Sequence, residues 1–305
     1  MQKPGVEDKN LAPGFFVVGP TAVGKTEIAI EVARRCEAEI VGADAFQIYR
    51  GLDLLTAKPN AKELALVRHH LIGLVPLNEE MNAEKFRRLA LSAMRGIRAV
   101  VVGGNGMYVK ALADGLSPLP KANSDLRERL NQFSERELFV RLQRLDPKMA
   151  QDIDAQNKRR LIRALEICLV SGRPASAQRQ RSSVAAAGVF VFRDRDDLYE
   201  RINSRVEKVF AEGVVDEVRA AGEIGPTASQ TLGLRQIRDL IAGKISERDC
   251  IAAIQQATRR YAKRQLTWFR RQSTFEPLNL SRHGSAAAIE WITRKARLSF
   301  AQQND

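Results

Sequence analysis

Apolar positions along the chain switch between a strand-like and a helix-like period. Phe15–Val18 is a short aromatic and β-branched run closed by Gly19, the pattern of a buried strand. Ile28, Ala29, Val32, Ala33 and Cys36 then recur at helical spacing. Glu39–Ala43 is the next strand run and stops at Asp44, and a helix is expected over about Ala83–Arg95. Ala99–Val102 is a third strand run, followed by Gly103-Gly104. Strands that alternate with helices imply a parallel sheet with crossover helices.

From Lys121 to Ala187 the strand runs vanish. Leu126, Leu130 and Phe133 fall at helical spacing, as do Leu161, Leu165, Ile167 and Cys168. Gly188–Phe192 (GVFVF) reads as a strand returning to the sheet, reached through a loop at Ser182–Gly188. Asp196–Arg271 is helical in pattern, with breaks near Gly222–Pro226 and Gly243.

Gly19-Pro20-Thr21-Ala22-Val23-Gly24-Lys25-Thr26 fits G-x-x-x-x-G-K-[ST] and lies between a strand and a helix, the context this motif requires. Its glycines let the backbone N–H groups curl around a phosphate, and the helix N-terminus adds partial positive charge. Lys25 neutralises phosphate, and the Thr26 hydroxyl suits a Mg²⁺ ion bridging phosphate oxygens. The expected fold is α/β, a P-loop-type parallel sheet with flanking helices and a helical insertion domain. The core takes residues 10–120 and 188–305, and the insertion 121–187. NTPases of this class place a metal-holding acid after an apolar strand. Here Ala99–Val102 runs into Gly-Gly-Asn, and the acid at a strand end is Asp44. Parallel strands share one carboxyl edge, so Asp44, the phosphate loop and Gly103–Asn105 should converge. Asp44 can hold metal through water, accept a proton from a nucleophile, or cap a helix.

Composition adds a partner. Of 305 residues, 44% are hydrophobic and 28% charged, which excludes a mostly disordered chain. Lys+Arg exceed Asp+Glu by 49 − 36 = 13, a balance that suits nucleic acid. Lys158, Arg159, Arg160, Arg163, Arg173, Arg179 and Arg181 face the single acid Glu166. Arg259, Arg260, Lys263, Arg264, Arg270 and Arg271 have no acid among them, and Tyr261, Trp268 and Phe269 interleave with them. Such stripes fit phosphate backbones and stacked bases, and the alternative is a solvated face over core aromatics. Six unbalanced cations repel one another without a partner and favour anion binding, while Trp268 alone is better placed in a core. Cys36, Cys168 and Cys250 are too dispersed for a disulfide framework, and no Cys/His spacing makes a zinc site. Met1–Leu11 reads as a tail without a signal peptide's apolar stretch, and no apolar run reaches a membrane span. The expectation is a cytoplasmic protein without a membrane partner.

The residues resemble the tRNA dimethylallyltransferases, also called tRNA isopentenyltransferases, from Phe15 to about Arg271. The resemblance rests on GPTAVGKT (19–26), GADAFQIYRGLD (42–53), TAKP (56–59), HHLI (69–72), VGGNGMY (102–108), GLSPLP (115–120), RRLIRALE (159–166), RINSRVEKVFAEGVVDEV (201–218) and TRRYAKRQLTWFR (258–270). It implies transfer of a dimethylallyl group from dimethylallyl diphosphate to N6 of adenosine 37, beside the anticodon of tRNA. The phosphate loop would then hold a prenyl diphosphate with Mg²⁺, which accounts for the missing acid after the third strand. Asp44 matches the family's general base and Arg205 an arginine on the diphosphate. The resemblance places tRNA contacts at Asp44, Ala45, Phe46 and Gln47, at Arg127, at Arg159, Arg160, Leu161, Ile162 and Arg163, and at Gln230, Thr231, Leu232, Gly233, Leu234 and Arg235. The insertion would clamp the anticodon stem-loop, and the enzyme would act as a monomer.

The chain departs from that pattern at several points. Asn105 stands for a threonine at the reacting centre, and is expected to keep contact with adenine or diphosphate. Ala45 stands for serine, Gly73 for aspartate and Leu234 for tyrosine, and Met81-Asn82-Ala83 where Tyr-Ser is common. Rival readings are an adenylate isopentenyltransferase acting on free nucleotide, a small-molecule kinase, and a non-catalytic RNA-binding relative. The charge of +13 favours tRNA over a free nucleotide, and the absent acid after Val102 counts against a kinase.

Overall fold

Phe15–Val18 forms β1, and all four residues are buried because the strand is covered on both faces. Phe15 and Val17 pack on one side of the sheet, Phe16 and Val18 on the other, which follows from the two-residue period. The structure is a computed structural model that describes residues 14–117, 119–178 and 186–302. Met1–Leu11, Arg179, Arg181 and the first part of the expected loop at Ser182–Gly188 lie outside the described residues.

After β1 come α1 (Lys25–Cys36), β2 (Glu39–Gly42), α2 (Ala61–Leu66), β3 (His69–His70), α3 (Ala83–Ala93), β4 (Ala99–Gly103) and α4 (Gly106–Ala113). Next are α5 (Ser124–Asn131), α6 (Glu135–Leu145), α7 (Pro147–Asp152) and α8 (Lys158–Ser171). The chain continues with β5 (Gly188–Phe192), α9 (Arg195–Ala211), α10 (Val214–Ala220), α11 (Leu234–Ile241), α12 (Glu247–Gln272), β6 (Glu276–Asn279) and α13 (Ser285–Ala301). By contacts it divides into two compact units, Met1–Ala113 with Ala185–Asp305, and Asp114–Val184.

In the first unit the sheet order is β3-β2-β4-β1-β5-β6, and every neighbouring pair is parallel. One face carries Phe15, Val17, Ile40, Val100, Val189 and Val191 against α1 and α13. The other carries Phe16, Val18, Val41, Val101 and Phe190 against α3, α4 and Phe269 of α12. A further apolar cluster joins α9 to α12 through Val206, Val214, Val218, Leu234, Ile237 and Ile254. Two strands were not legible in the sequence. β3 is two residues long, and β6 (EPLN) buries only Leu278 while Pro277 confines it to a sheet edge.

The second unit is helical. Asn123, Ser134, Asp146 and Asn157 cap α5, α6, α7 and α8 with side-chain oxygens. Its core is built from Leu130, Leu138, Leu142, Leu161, Leu165 and Ile167, with neighbours at helical spacing.

Candidate active site

The register of the sheet brings three loops to one carboxyl edge. Val18 lies beside Gly103, and Gly42 beside Val102, so the residues after β1, β2 and β4 leave the sheet together. Backbone bonds join them: Gly19 N–H donates to Gly103 O at 3.3 Å, Ala43 N–H to Val102 O at 2.7 Å, and Asn105 N–H to Ala43 O at 3.4 Å. The phosphate loop turns into α1 through Gly24 at φ 99°, a left-handed conformation suited to glycine. No side chain caps α1, so its first N–H groups are left for a ligand. From α9 and the residues before it, Arg201 Nε donates to Ala22 O at 3.0 Å and Arg193 Nε to Val23 O at 2.9 Å, which fixes the loop from outside.

Lys25 Nζ donates to Pro20 O at 2.7 Å. Burial lowers its pKa to about 8; the Asp44 charge opposes this and the Arg205 charge adds to it. Burial likewise lowers the Arg205 guanidinium, with Asp44 opposing. Lys25, Asp44 and Arg205 therefore share one electrostatic environment, yet neither cation forms an ion pair with Asp44 among the described residues. Two crowded cations without a direct counter-ion make a site for an anion.

Two cavities meet here. A polar one of about 720 Å³ is lined by the phosphate loop, Thr26, Gly103, Gly104, Arg201 and Lys208. A smaller one of about 180 Å³ has one apolar wall, of Leu55, Val206, Val209, Phe210 and Ile254, and a polar remainder that includes Thr258, Tyr261 and Arg264. Thr21, Asp44, Thr56 and Arg205 line both. The ends of a ligand that is anionic at one end and apolar at the other would fall on either side of Asp44.

Asp44 also serves its own loop. Its Oδ1 accepts from Phe46 N–H at 2.9 Å and Gln47 N–H at 3.3 Å, while Oδ2 has no hydrogen bond among the described residues. Gln47 Nε2 donates to Thr56 O and Ala57 O at 3.0 and 2.8 Å, drawing the TAKP segment over the site. Lys58 donates to the carbonyls of Tyr49 and Gly51, and Glu217 of α10 accepts from the N–H groups of Leu54 and Leu55. Asn105 turns out to be the cap of α4: its Oδ1 accepts from Met107 N–H at 3.1 Å and Tyr108 N–H at 3.2 Å. It lines neither cavity. Threonine and asparagine are both capping residues, which gives the substitution a structural reason.

Sequence reading missed Gln265. It is buried on α12, and its amide joins two of the loops: Thr21 N–H donates to Oε1 at 2.9 Å, and Nε2 donates to Gly104 O at 2.8 Å. The signal that could have found it was an uncharged residue within a basic helical stripe, four residues after Tyr261. Tyr261 itself lines the smaller cavity, and burial with the Asp44 charge pushes its phenol well above the ordinary range. The basic stripe is exposed at Arg260, Lys263, Arg264, Arg270 and Arg271 and half-buried at Arg259. Arg264 also lines that cavity, and Arg259 Nη1 donates to Asn203 Oδ1 at 2.8 Å. Trp268 packs on the core, as expected of it.

The remaining candidates fall into three groups. Gln230, Thr231 and Leu232 line the smaller cavity. Leu234 is core, beside Gly233 at the start of α11, and Arg235 is exposed. In the helical unit Leu161 and Ile162 are buried in the core, so packing rather than RNA contact is the role of their side chains. Arg159 and Arg160 are exposed. Arg127 and Arg163 are held by Glu166, whose side chain is 0% exposed. Arg127 Nε and Nη2 donate to Glu166 Oε1 and Oε2 at 2.9 and 2.8 Å, and Arg163 Nη1 donates to Oε2 at 2.5 Å. Desolvation raises the Glu166 pKa, but the hydrogen bonds from Arg127, Asn123 and Arg163 outweigh it and leave the net shift downward.

As to metal, the described residues contain no cluster of three or more carboxylate, imidazole or thiolate ligands. Thr26, on the first turn of α1, and Asp44 both line the polar cavity. That donor set fits an ion held mainly by water and substrate oxygens, as Mg²⁺ is with phosphates. No helix among the described residues is long and apolar enough to cross a membrane.

Residues 47–272 match the family model described as IPP transferase. The chain is 41% identical over 285 residues to a tRNA dimethylallyltransferase of Citrifermentans bemidjiense, covering 88% of this chain and 92% of that one. It is 38% identical over 282 residues to the tRNA dimethylallyltransferase of Akkermansia muciniphila, covering 90% and 96%. The crystal structure of the full-length tRNA isopentenylpyrophosphate transferase of Bacillus halodurans is similar, with a TM-score of 0.69 at 32% identity, over 96% of this chain and 98% of the other.

Proposed function

The chain belongs to the IPP transferase family, and from that premise we infer that it is a tRNA dimethylallyltransferase, moving a dimethylallyl group from dimethylallyl diphosphate to N6 of adenosine 37 beside the anticodon. The observation that carries the reading is the meeting, at Asp44 and Arg205, of a cavity lined by the phosphate loop with a smaller one that has an apolar wall. The diphosphate belongs in the polar cavity, on the open N–H groups of α1, with Lys25 and Arg205 as its counter-charges. The smaller cavity suits the uncharged partners, the five-carbon chain and the adenine edge that meets it. The target base must leave its stack to get there.

In this reading N6 attacks C1 of the donor. The C1–O bond breaks, its electron pair leaves on pyrophosphate, and the N6 proton passes to Asp44 Oδ2. Lys25 and Arg205 stabilise the charge that grows on the leaving oxygen. Mg²⁺, held by the Thr26 hydroxyl and substrate oxygens, would supply further neutralisation of the diphosphate. Asn105 holds the turn into α4. RNA contacts fall to Ala45, Phe46 and Gln47 near the cavities, to Gln230, Thr231, Leu232, Gly233 and Arg235, and to Arg127, Arg159, Arg160 and Arg163 on the helical unit. A cytoplasmic, monomeric enzyme is part of the same proposal.

The test is incubation with Mg²⁺, dimethylallyl diphosphate and an anticodon stem-loop containing adenosine 37. Mass analysis should show the gain of one dimethylallyl group on that RNA. Modification of adenosine monophosphate in preference to the stem-loop would overturn the tRNA assignment, and transfer of phosphate from ATP would replace it with a kinase.

A further inference from the structure

Gln265 joins two of the loops that line the larger cavity, although the reaction proposed above uses no atom of it. Its buried amide accepts from Thr21 N–H in the phosphate loop and donates to Gly104 O after β4. The two contacts are 244 and 161 residues away in sequence. An amide has one acceptor side and one donor side, so the pair of bonds defines a single orientation. Gly104 is shaped to this arrangement. A Cβ there would lie 2.3 Å from Gln265 Nε2 and 2.9 Å from Gly19 O, too close for either. The neighbouring Asn105 N–H donates to Ala43 O, one residue before Asp44. A continuous run of bonds therefore links the phosphate loop to the loop of the proposed base, with Gln265 as its one side-chain member.

We propose that Gln265 is a positioning residue that sets the distance between the phosphate loop and the Asp44 loop, and so the alignment of the diphosphate donor with its base. This rests on the functional reading above. Misplacement of reacting groups by about an ångström costs up to ~10²-fold in rate. Gln265 also lines the polar cavity, so a negative charge on it would oppose the diphosphate.

Two variants separate this from simple packing. Gln265→Met keeps a long side chain and removes both hydrogen bonds. It should lower kcat about 10–100-fold and weaken binding of inorganic pyrophosphate, while affinity for the RNA stem-loop stays near that of the parent. Gln265→Glu keeps the acceptor for Thr21 N–H but faces Gly104 O with a second acceptor when ionised. Protonation of the introduced carboxyl restores the donor and removes the charge. Its activity relative to the parent should therefore rise as pH falls toward about 5, a dependence that loss of packing does not produce. Gly104→Ala combined with Gln265→Met should cost less than the sum of the two single changes. The parent is assayed first: no dimethylallyl transfer by the parent overturns the functional reading on which this one rests. With an active parent, Gln265→Met within about twofold of it in kcat and pyrophosphate affinity overturns the positioning role. So does a Gln265→Glu to parent ratio that is flat with pH.

Discussion

Asp44 has two oxygens with different work. Oδ1 holds the turn at Phe46 and Gln47, as a capping reading of the sequence allowed, and Oδ2 faces no hydrogen-bond partner among the described residues. The two roles are separable. Asp44→Asn keeps an acceptor for the turn but is a poor base, so turnover should fall by ~10²–10⁴ with the unfolding midpoint nearly unchanged. Asp44→Ala should show the same fall and lose about 1 kcal/mol of stability as well. Near-parent turnover by Asp44→Asn reduces the residue to a cap. Lys25 supplies a pH signature. Its pKa is lowered to about 8 by burial, so the free enzyme loses this positive charge as pH rises through that value. Affinity for dimethylallyl diphosphate, measured by calorimetry, should be steady near pH 7 and decline above about 8 in the parent, and Lys25→Met should flatten the decline. The same depression means the unfolded chain binds the extra proton between about 8 and the ordinary lysine value of 10.5, so this group makes the fold more stable as pH rises through that window. A parent affinity constant to pH 9.5 contradicts the assignment of Lys25 to the diphosphate.

At the scale of elements, the strand runs that could be read in the sequence were the central ones. β1, β2, β4 and β5 are buried and apolar, whereas β3 and β6 are short edge strands whose residues carry no period. Helix ends were less legible, because a cap and a catalytic group use the same side chains and only the placed neighbours show the capping bonds. Asn105 is the example. Asn105→Thr should leave stability within a few tenths of a kcal/mol, and Asn105→Ala should cost about 1 kcal/mol through the lost cap of α4. Thermal unfolding measures both, and a stable Asn105→Ala returns the residue to the chemistry. In the helical unit Glu166 organises α5 and α8 by holding two arginines. Glu166→Ala should lower stability by about 2–4 kcal/mol. That is below the full value for breaking a buried pair, since Arg127 and Arg163 are 41% and 35% exposed. Its pKa is held down, so this contribution is present above the unfolded carboxyl value and fades as acid protonates it. Chemical denaturation at pH 7 and pH 4 tests both the size and the direction.

For the whole molecule, the excess charge of +13 is a statement about a partner more than about the fold. RNA binding driven by it should weaken by ~0.7 log unit per decade of salt for each phosphate neutralised on a single strand. Replacing the exposed Arg159 and Arg160 by alanine should flatten that slope by about one to two phosphates. On α12, Arg260, Lys263, Arg264, Arg270 and Arg271 are exposed as well, so this helix is a second source of the same salt dependence. An unchanged slope in the Arg159/Arg160 variant places the RNA elsewhere on the protein.

The sequence by itself determined what depends on neighbours in the chain. The strand–loop–helix around Gly19–Thr26, the four central strands and the helical character of the insertion expected at 121–187 follow from local period and turn chemistry, which act over a few residues. It also placed Asp44 at a strand end, where a parallel sheet exposes it. The tertiary structure decided which distant groups share the site. Lys25 and Arg205 meet around Asp44, and Gln265 reaches Thr21 across 244 residues, because sheet order and helix packing bring their elements to one edge. It also sorted residues of like type. Of five consecutive positions from Arg159 to Arg163, two turned out to be core, two exposed, and one tied to a buried carboxylate. The side a helical residue faces is set by what packs against the helix, and no spacing within the helix supplies that neighbour.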